Sequence, residues 1–202
     1  MNKYITEFIG TFFLVMAAGL ASGDHAVLII AATLMVMIYA GGHISGAHYN
    51  PAVTLAVLIR GKCSFNDAII YWVVQLAGAS VAAFTVIYFK GEATPMLVEN
   101  STKALVAEIL GTFALAYVIL NSATAKGTAG NSFYGLAIGF TVFAMGSLLG
   151  GYSGGAFNPA VAVGAGLMKA FDWSNIWIYL VGCFGGAIIA AVIFKINNPG
   201  DK

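Results

Sequence analysis

The chain has 202 residues, of which 60% are hydrophobic and only 8% charged. A soluble domain carries roughly a quarter charged residues, so this composition excludes an ordinary water-soluble protein. Nine Lys or Arg against eight Asp or Glu leave a net charge of +1, which gives no basic or acidic footprint for nucleic acid or an acidic partner.

Uncharged runs follow one another along the chain at residues 8–23, 25–59, 68–89, 109–125, 127–168 and 173–194. A bilayer-spanning helix needs about 20 apolar residues, so six spans are predicted. The first run has Glu7 at its edge rather than a basic leader and a cleavage site, and is expected to be a structural helix. Two runs have an unusual length, 35 residues for 25–59 and 42 for 127–168. Each reads as one span, over 26–40 and 133–149, then a Gly/Ser-rich dip, then Asn-Pro, then about ten more apolar residues, enough for half a span. Exposed to lipid, the unpaired backbone groups of such a dip would each cost several kcal/mol. The dips must therefore be packed in protein or line a wet cavity.

The two long runs share their ending. "SGAHYNPAV" contains Asn50, Pro51 and Ala52; "SGGAFNPAV" contains Asn158, Pro159 and Ala160. The repeat extends to "EFIGTFFL" from Glu7 and "EILGTFAL" from Glu108, and to Tyr71 and Gly78 matched by Tyr179 and Gly186. The chain is thus read as one channel domain over 1–202 with an internal repeat, 1–90 and 102–196. Three spans per half invert the second half relative to the first, so the half-helices enter from opposite faces and meet near the midplane.

Asn is a good N-cap and Pro a good first helical residue, so a single Asn-Pro need only start a helix. Two at matching places in an inverted repeat point their helix N-termini at one another. Each N-terminus carries about half a positive charge and unpaired N–H donors, which disfavours cations and protons. Asn50 and Asn158 would supply donors to a passing neutral oxygen. The carbonyls of 46–49 and 154–157, including Gly46, Ala47, Tyr49, Gly154 and Ala156, would act as acceptors leading in and out. With six spans both termini share one side. Lys3, Arg60, Lys62, Lys126, Lys195 and Lys202 fall there, against Lys90, Lys103 and Lys169 on the other, which predicts cytoplasmic termini. Cys63 and Cys183 form neither a disulfide framework nor a metal-ligand spacing, and no metal or cofactor is expected.

The paired Asn-Pro-Ala motifs, the Glu-x-x-Gly-Thr-Phe starts and Gln75 with Gly78 resemble the aquaporin, or major intrinsic protein, family over essentially the whole chain. The resemblance implies an all-α membrane protein with six transmembrane helices and two half-helices. It also implies a homotetramer in the lipid bilayer, with one pore per subunit carrying water and small neutral solutes passively; a plasma (inner) membrane is the expected location. It implies that buried Glu7 and Glu108 hold dip N–H groups, and that His43 is the loop histidine beside the cytoplasmic end of the pore. His48, two residues before Asn50, is read as packing.

By the family's spacing, a four-residue constriction falls on Ile30, Gly146, Gly155 and Val161. The family usually has Arg at the last position and, in water-selective members, an aromatic and a His at the two helix positions. This set predicts a wide apolar filter without a fixed guanidinium, unless a bulky neighbour such as Phe143, Met145 or Phe157 fills the space at Gly146. Candidate solutes are ammonia, urea, glycerol, hydrogen peroxide and dissolved gases beside water. Ala162 stands where glycerol facilitators typically carry Asp, so the markers are mixed. An alternating-access transporter would need ion-coupling carboxylates and has only Glu7 and Glu108 as candidates. An enzyme would need converging nucleophile, base or metal ligands, which three scattered His and two Cys do not supply. A closed structural membrane protein is the remaining alternative.

Overall fold

In a computed structural model the described residues are 1–201; Lys202, counted above with the basic residues, lies outside them. The chain runs through α1 (Asn2–Leu20), α2 (Ala26–Ser45), short α3 (Pro51–Arg60), α4 (Phe65–Lys90), α5 (Ser101–Ile119), α6 (Tyr134–Ser153), short α7 (Pro159–Leu167) and α8 (Ile176–Asn197). Six of these helices are long and apolar enough to cross a membrane, α5 continuing through a π turn at Leu120–Thr124. The fold is therefore the all-helical one expected, with a half-span after each dip.

The helix ends follow from the sequence. Gly46 and Gly154 end α2 and α6 at φ +85° and +86°, a left-handed conformation that costs glycine little. Asn50 Oδ1 accepts from Ala52 N–H at 2.9 Å, and Asn158 Oδ1 from Ala160 N–H at 2.9 Å, which caps α3 and α7. Pro51 and Pro159 occupy the first helical position, where a missing N–H costs nothing.

The most extensive packing is α1 along α4 and α5 along α8, with α2 against α6. The short helices cross between the halves, α3 packing on α8 and α7 on α4, and their starts meet. Close approach depends on small residues. A Cβ at Gly78 would lie 2.6 Å from the Phe8 carbonyl oxygen, and one at Gly186 would strike the Ile109 carbonyl. Neither obstacle is a side chain that can swing away. Gly78→Ala is expected to destabilise by about 2 kcal/mol, the usual cost of overpacking, read as an earlier thermal unfolding midpoint in detergent. Large apolar side chains such as Val73, Phe84, Leu148 and Val181 are exposed on the helix exteriors, which suits a lipid solvent.

Polar contacts separate two ends of the bundle. At the terminal end Lys3 pairs with Asp67 at 2.8 Å, and Asp201 accepts from Lys126 N–H at 2.7 Å and from Arg60 Nη2 at 2.6 Å. These contacts hold the Asp201 carboxyl below the usual carboxylate range, the Lys126 N–H first among the causes. At the far end Lys169 pairs with Glu92 at 2.7 Å. There the linker between the halves lies against the end of α7, with Ala93 N–H donating to Met168 O at 3.0 Å and Met96 N–H to Ala170 O at 2.9 Å.

Candidate functional site: a passage between the two Asn-Pro helices

Both dips hang on a buried carboxylate. Glu7 Oε1 accepts from Ser45 Oγ–H at 2.7 Å and His48 N–H at 2.9 Å; Oε2 accepts from Tyr49 N–H at 2.7 Å and Gln75 Nε2 at 2.9 Å. Glu108 Oε1 accepts from Ser153 Oγ–H at 2.7 Å and Ala156 N–H at 3.0 Å; Oε2 accepts from Phe157 N–H at 2.7 Å and, more weakly, the Cys183 thiol at 3.4 Å. Ser45 and Ser153 in turn accept from Ala47 N–H and Gly155 N–H. The backbone donors that lipid could not satisfy are thus satisfied inside. Tyr49 and Phe157 sit at φ +50° and +48°, a strained region for residues with side chains, held there by these bonds and by packing. A Cβ at Gly10 would strike the Tyr49 ring, and one at Gly111 the Phe157 ring. The Glu-x-x-Gly spacing therefore has a mechanical meaning: the acid ties down the dip backbone and the glycine makes room for the dip aromatic.

Where the short helices meet, the two amides are bonded reciprocally across the centre. Asn50 Nδ2 donates to Phe157 O at 2.8 Å, and Asn158 Nδ2 donates to Tyr49 O at 2.9 Å. The Tyr49 and Phe157 carbonyls thus each give one of their two lone pairs to the opposite amide. Each –NH2 group has two donors, so one N–H per Asn is left over.

A cavity of about 140 Å³ adjoins both amides, ample for several waters at about 10–15 Å³ each. Ala47, His48, Gly154 and Ala156 from the dips line it, together with Ile30 from α2, Val161 from α7 and Gly155. A second cavity of about 320 Å³ opens on the terminal side, lined by His43, Gly46, Ser122, Thr128, Asn131 and Tyr134. The two share Ile38, Ala47, Ile119 and Ile138, so they adjoin at an apolar waist.

The Major intrinsic protein family profile matches residues 1–194. This chain belongs to the Major intrinsic protein family. Among its relatives, "Glycerol uptake facilitator protein-like 6" of Lactiplantibacillus plantarum is 35% identical over 217 residues, covering all of both chains. "Aquaporin NIP1-1" of Zea mays is 34% identical over 218 residues, covering all of this chain and 77% of its own. A solved aquaglyceroporin from Plasmodium falciparum superposes with a TM-score of 0.78 at 20% identity, covering 98% of this chain and 97% of the other, which shows the shared fold. Members of the family are channels, and this chain is not an enzyme.

Within this Major intrinsic protein, Gly146 of α6 faces α2. A Cβ there would lie 2.7 Å from Val27 Cγ1, so Val27 of α2 fills the space beside it. From α6, Ile138 and Val142 line the cavity, Val142 one turn before Gly146. Helical spacing places Val142 and Gly146 on one face, but only the packing against α2 tells which of them is covered. The structure brings Ile30, Gly155 and Val161 together around the cavity and leaves Gly146 at the α2–α6 contact.

His48 is more than packing. Thr54 Oγ–H donates to Asn50 O at 3.0 Å, and Thr54 Oγ accepts from Gln75 Nε2 at 3.0 Å. The third contact is 3.1 Å to His48 Nδ1; with the hydroxyl proton on Asn50 O, Nδ1 is the donor and Nε2 of the neutral ring the acceptor. No motif in the sequence marks Thr54 as that partner; the i, i+4 spacing from Asn50 was the available signal.

Proposed function

We propose that this chain is a channel through which water and small neutral solutes diffuse down their own gradients. The observation that carries this reading is the cavity at two opposed helix N-termini, where each Asn bonds across the centre and keeps one N–H. A neutral solute with a lone pair finds two fixed donors there, while a cation or proton meets the positive ends of both short helices. Residues 1–90 and 102–196 act as inverted halves of one domain. Ile30, Gly155 and Val161, with Val142 one turn from Gly146, form an apolar filter that lacks a guanidinium. That composition supports passage of ammonia beside water and slower passage of urea or glycerol, and a relative named as a glycerol uptake facilitator supports the polyol part. The bias of basic residues supports cytoplasmic termini in a plasma or inner membrane, and the family resemblance supports a homotetramer with one pore in each subunit.

Val142→Trp tests the path itself. A ring of that size directed into a cavity of about 140 Å³ is expected to bring osmotic water permeability of proteoliposomes down to that of protein-free vesicles. Unchanged permeability would place the conducting path elsewhere.

A further inference from the structure

The two dips are built alike but finished with different rings. Near the terminal side, the His48 ring meets Tyr71 edge-on, centroids 5.2 Å apart, and its Nε2 lies 3.3 Å from where a Cβ on Gly46 would stand. At the matching places in the second half stand Ala156 for His48 and Ala162 for Thr54, so the imidazole and its hydroxyl partner are both missing. Phe171 occupies that place instead. It stacks on Tyr179 with centroids 4.6 Å apart and planes 11° from parallel. Its Cε1 and Cζ lie 2.6 Å from where a Cβ on Gly154 would stand. It packs with Ala156, Ala162 and Tyr179 in one apolar cluster.

The ring is held from three sides. Phe171 N–H donates to Ala165 O at 3.1 Å, and Tyr179 O–H donates to Ser153 O at 2.6 Å. The linker bonds to Met168 and Ala170 fix the turn that carries it. Phe171 lines the same cavity as Ile30, Val142 and Val161, none of which has a hydrogen-bonding side chain. A solute on the terminal side passes an imidazole acceptor. On the far side it passes Phe171 and must surrender hydrogen bonds to water that no side chain replaces, a cost that grows with each polar group it carries.

We infer that Phe171 is the specificity-determining residue of the far half of the passage, standing where the first half has an imidazole and favouring water and ammonia over urea and polyols. This rests on the channel reading above. Ammonia and water have few hydrogen bonds to lose, whereas urea and glycerol have many.

The test is the ratio of urea to water permeability in proteoliposomes for the wild-type chain, Phe171→His, Phe171→Ala and Phe171→Leu. Phe171→His keeps a ring against Tyr179 and adds a polar edge; Phe171→Ala removes the ring. Both are expected to raise the ratio by about tenfold, the effect of restoring or freeing one hydrogen bond in transit, and Phe171→Leu by much less. An unchanged ratio in whichever of Phe171→His or Phe171→Ala still conducts water would overturn the inference while leaving the channel standing. Wild-type water permeability equal to that of protein-free vesicles would instead overturn the channel reading, and this inference with it.

Discussion

Val161→Arg is expected to lower the ratio of ammonia to water permeability at least about tenfold and to bring urea flux to the level of protein-free vesicles. Val161 lines the cavity beside Ile30 and Gly155 and packs against all three buried clusters of the bundle, so a longer side chain there projects into the neck. Arginine would narrow it and supply donors only. Water, with two lone pairs, can accept twice as it passes. Ammonia has one lone pair, and its three N–H groups would face a fixed positive charge. Each hydrogen bond lost in transit costs about 1–3 kcal/mol, and about 1.4 kcal/mol is a factor of ten in rate. Stopped-flow measurement of ammonia entry with a pH-sensitive dye, set against osmotic shrinkage of the same vesicles, gives the ratio. If it does not move, Val161 is not at the narrowest point and the apolar filter is misplaced.

The second large effect is on stability. Glu108→Ala leaves Ser153 O–H, Ala156 N–H and Phe157 N–H without their acceptor in a fully buried site. At about 1–3 kcal/mol for each orphaned donor, the loss is expected to be about 3 kcal/mol or more. Glu108→Gln keeps an acceptor oxygen but turns an N–H toward existing donors, so an intermediate loss is expected. Cys183 is fully buried and reports unfolding directly. On a Cys63→Ser background, a thiol-reactive fluorophore should label Glu108→Ala at a clearly lower temperature than the parent, with Glu108→Gln between them. Superimposable labelling curves would mean that the dip is held by packing alone.

Much of this arrangement is legible in the residues, for a physical reason. Lipid offers no hydrogen bonds, so a broken helix inside an apolar run must have its own capping and its own acceptors, and those have recognisable spellings: Asn-Pro to restart the helix, and a carboxylate at the start of a span to hold the dip. Glu7 and Glu108 hold the dip N–H groups that the family resemblance implied. Three-dimensional adjacency is less legible. That Val27 covers Gly146 while Val142 faces the cavity depends on how α2 sits against α6, and both lie in runs too uniformly apolar for periodicity to distinguish their faces. The reciprocal Asn bonds to Tyr49 O and Phe157 O join residues from the two opposed dips, and no spacing within either motif reveals them. Phe171 lies outside both motifs, in the turn after α7, and only its stacking on Tyr179 brings it to the site.

The most direct measurement is light scattering from proteoliposomes after an osmotic jump, first with an impermeant solute and then with ammonium, urea and glycerol gradients. A passage capped by two donor amides and walled by Ile30, Val142 and Val161 should give shrinkage far faster than protein-free vesicles, rapid ammonia entry, and slower re-swelling with urea and glycerol. Shrinkage no faster than that of protein-free vesicles would contradict an open passage between the two Asn-Pro helices.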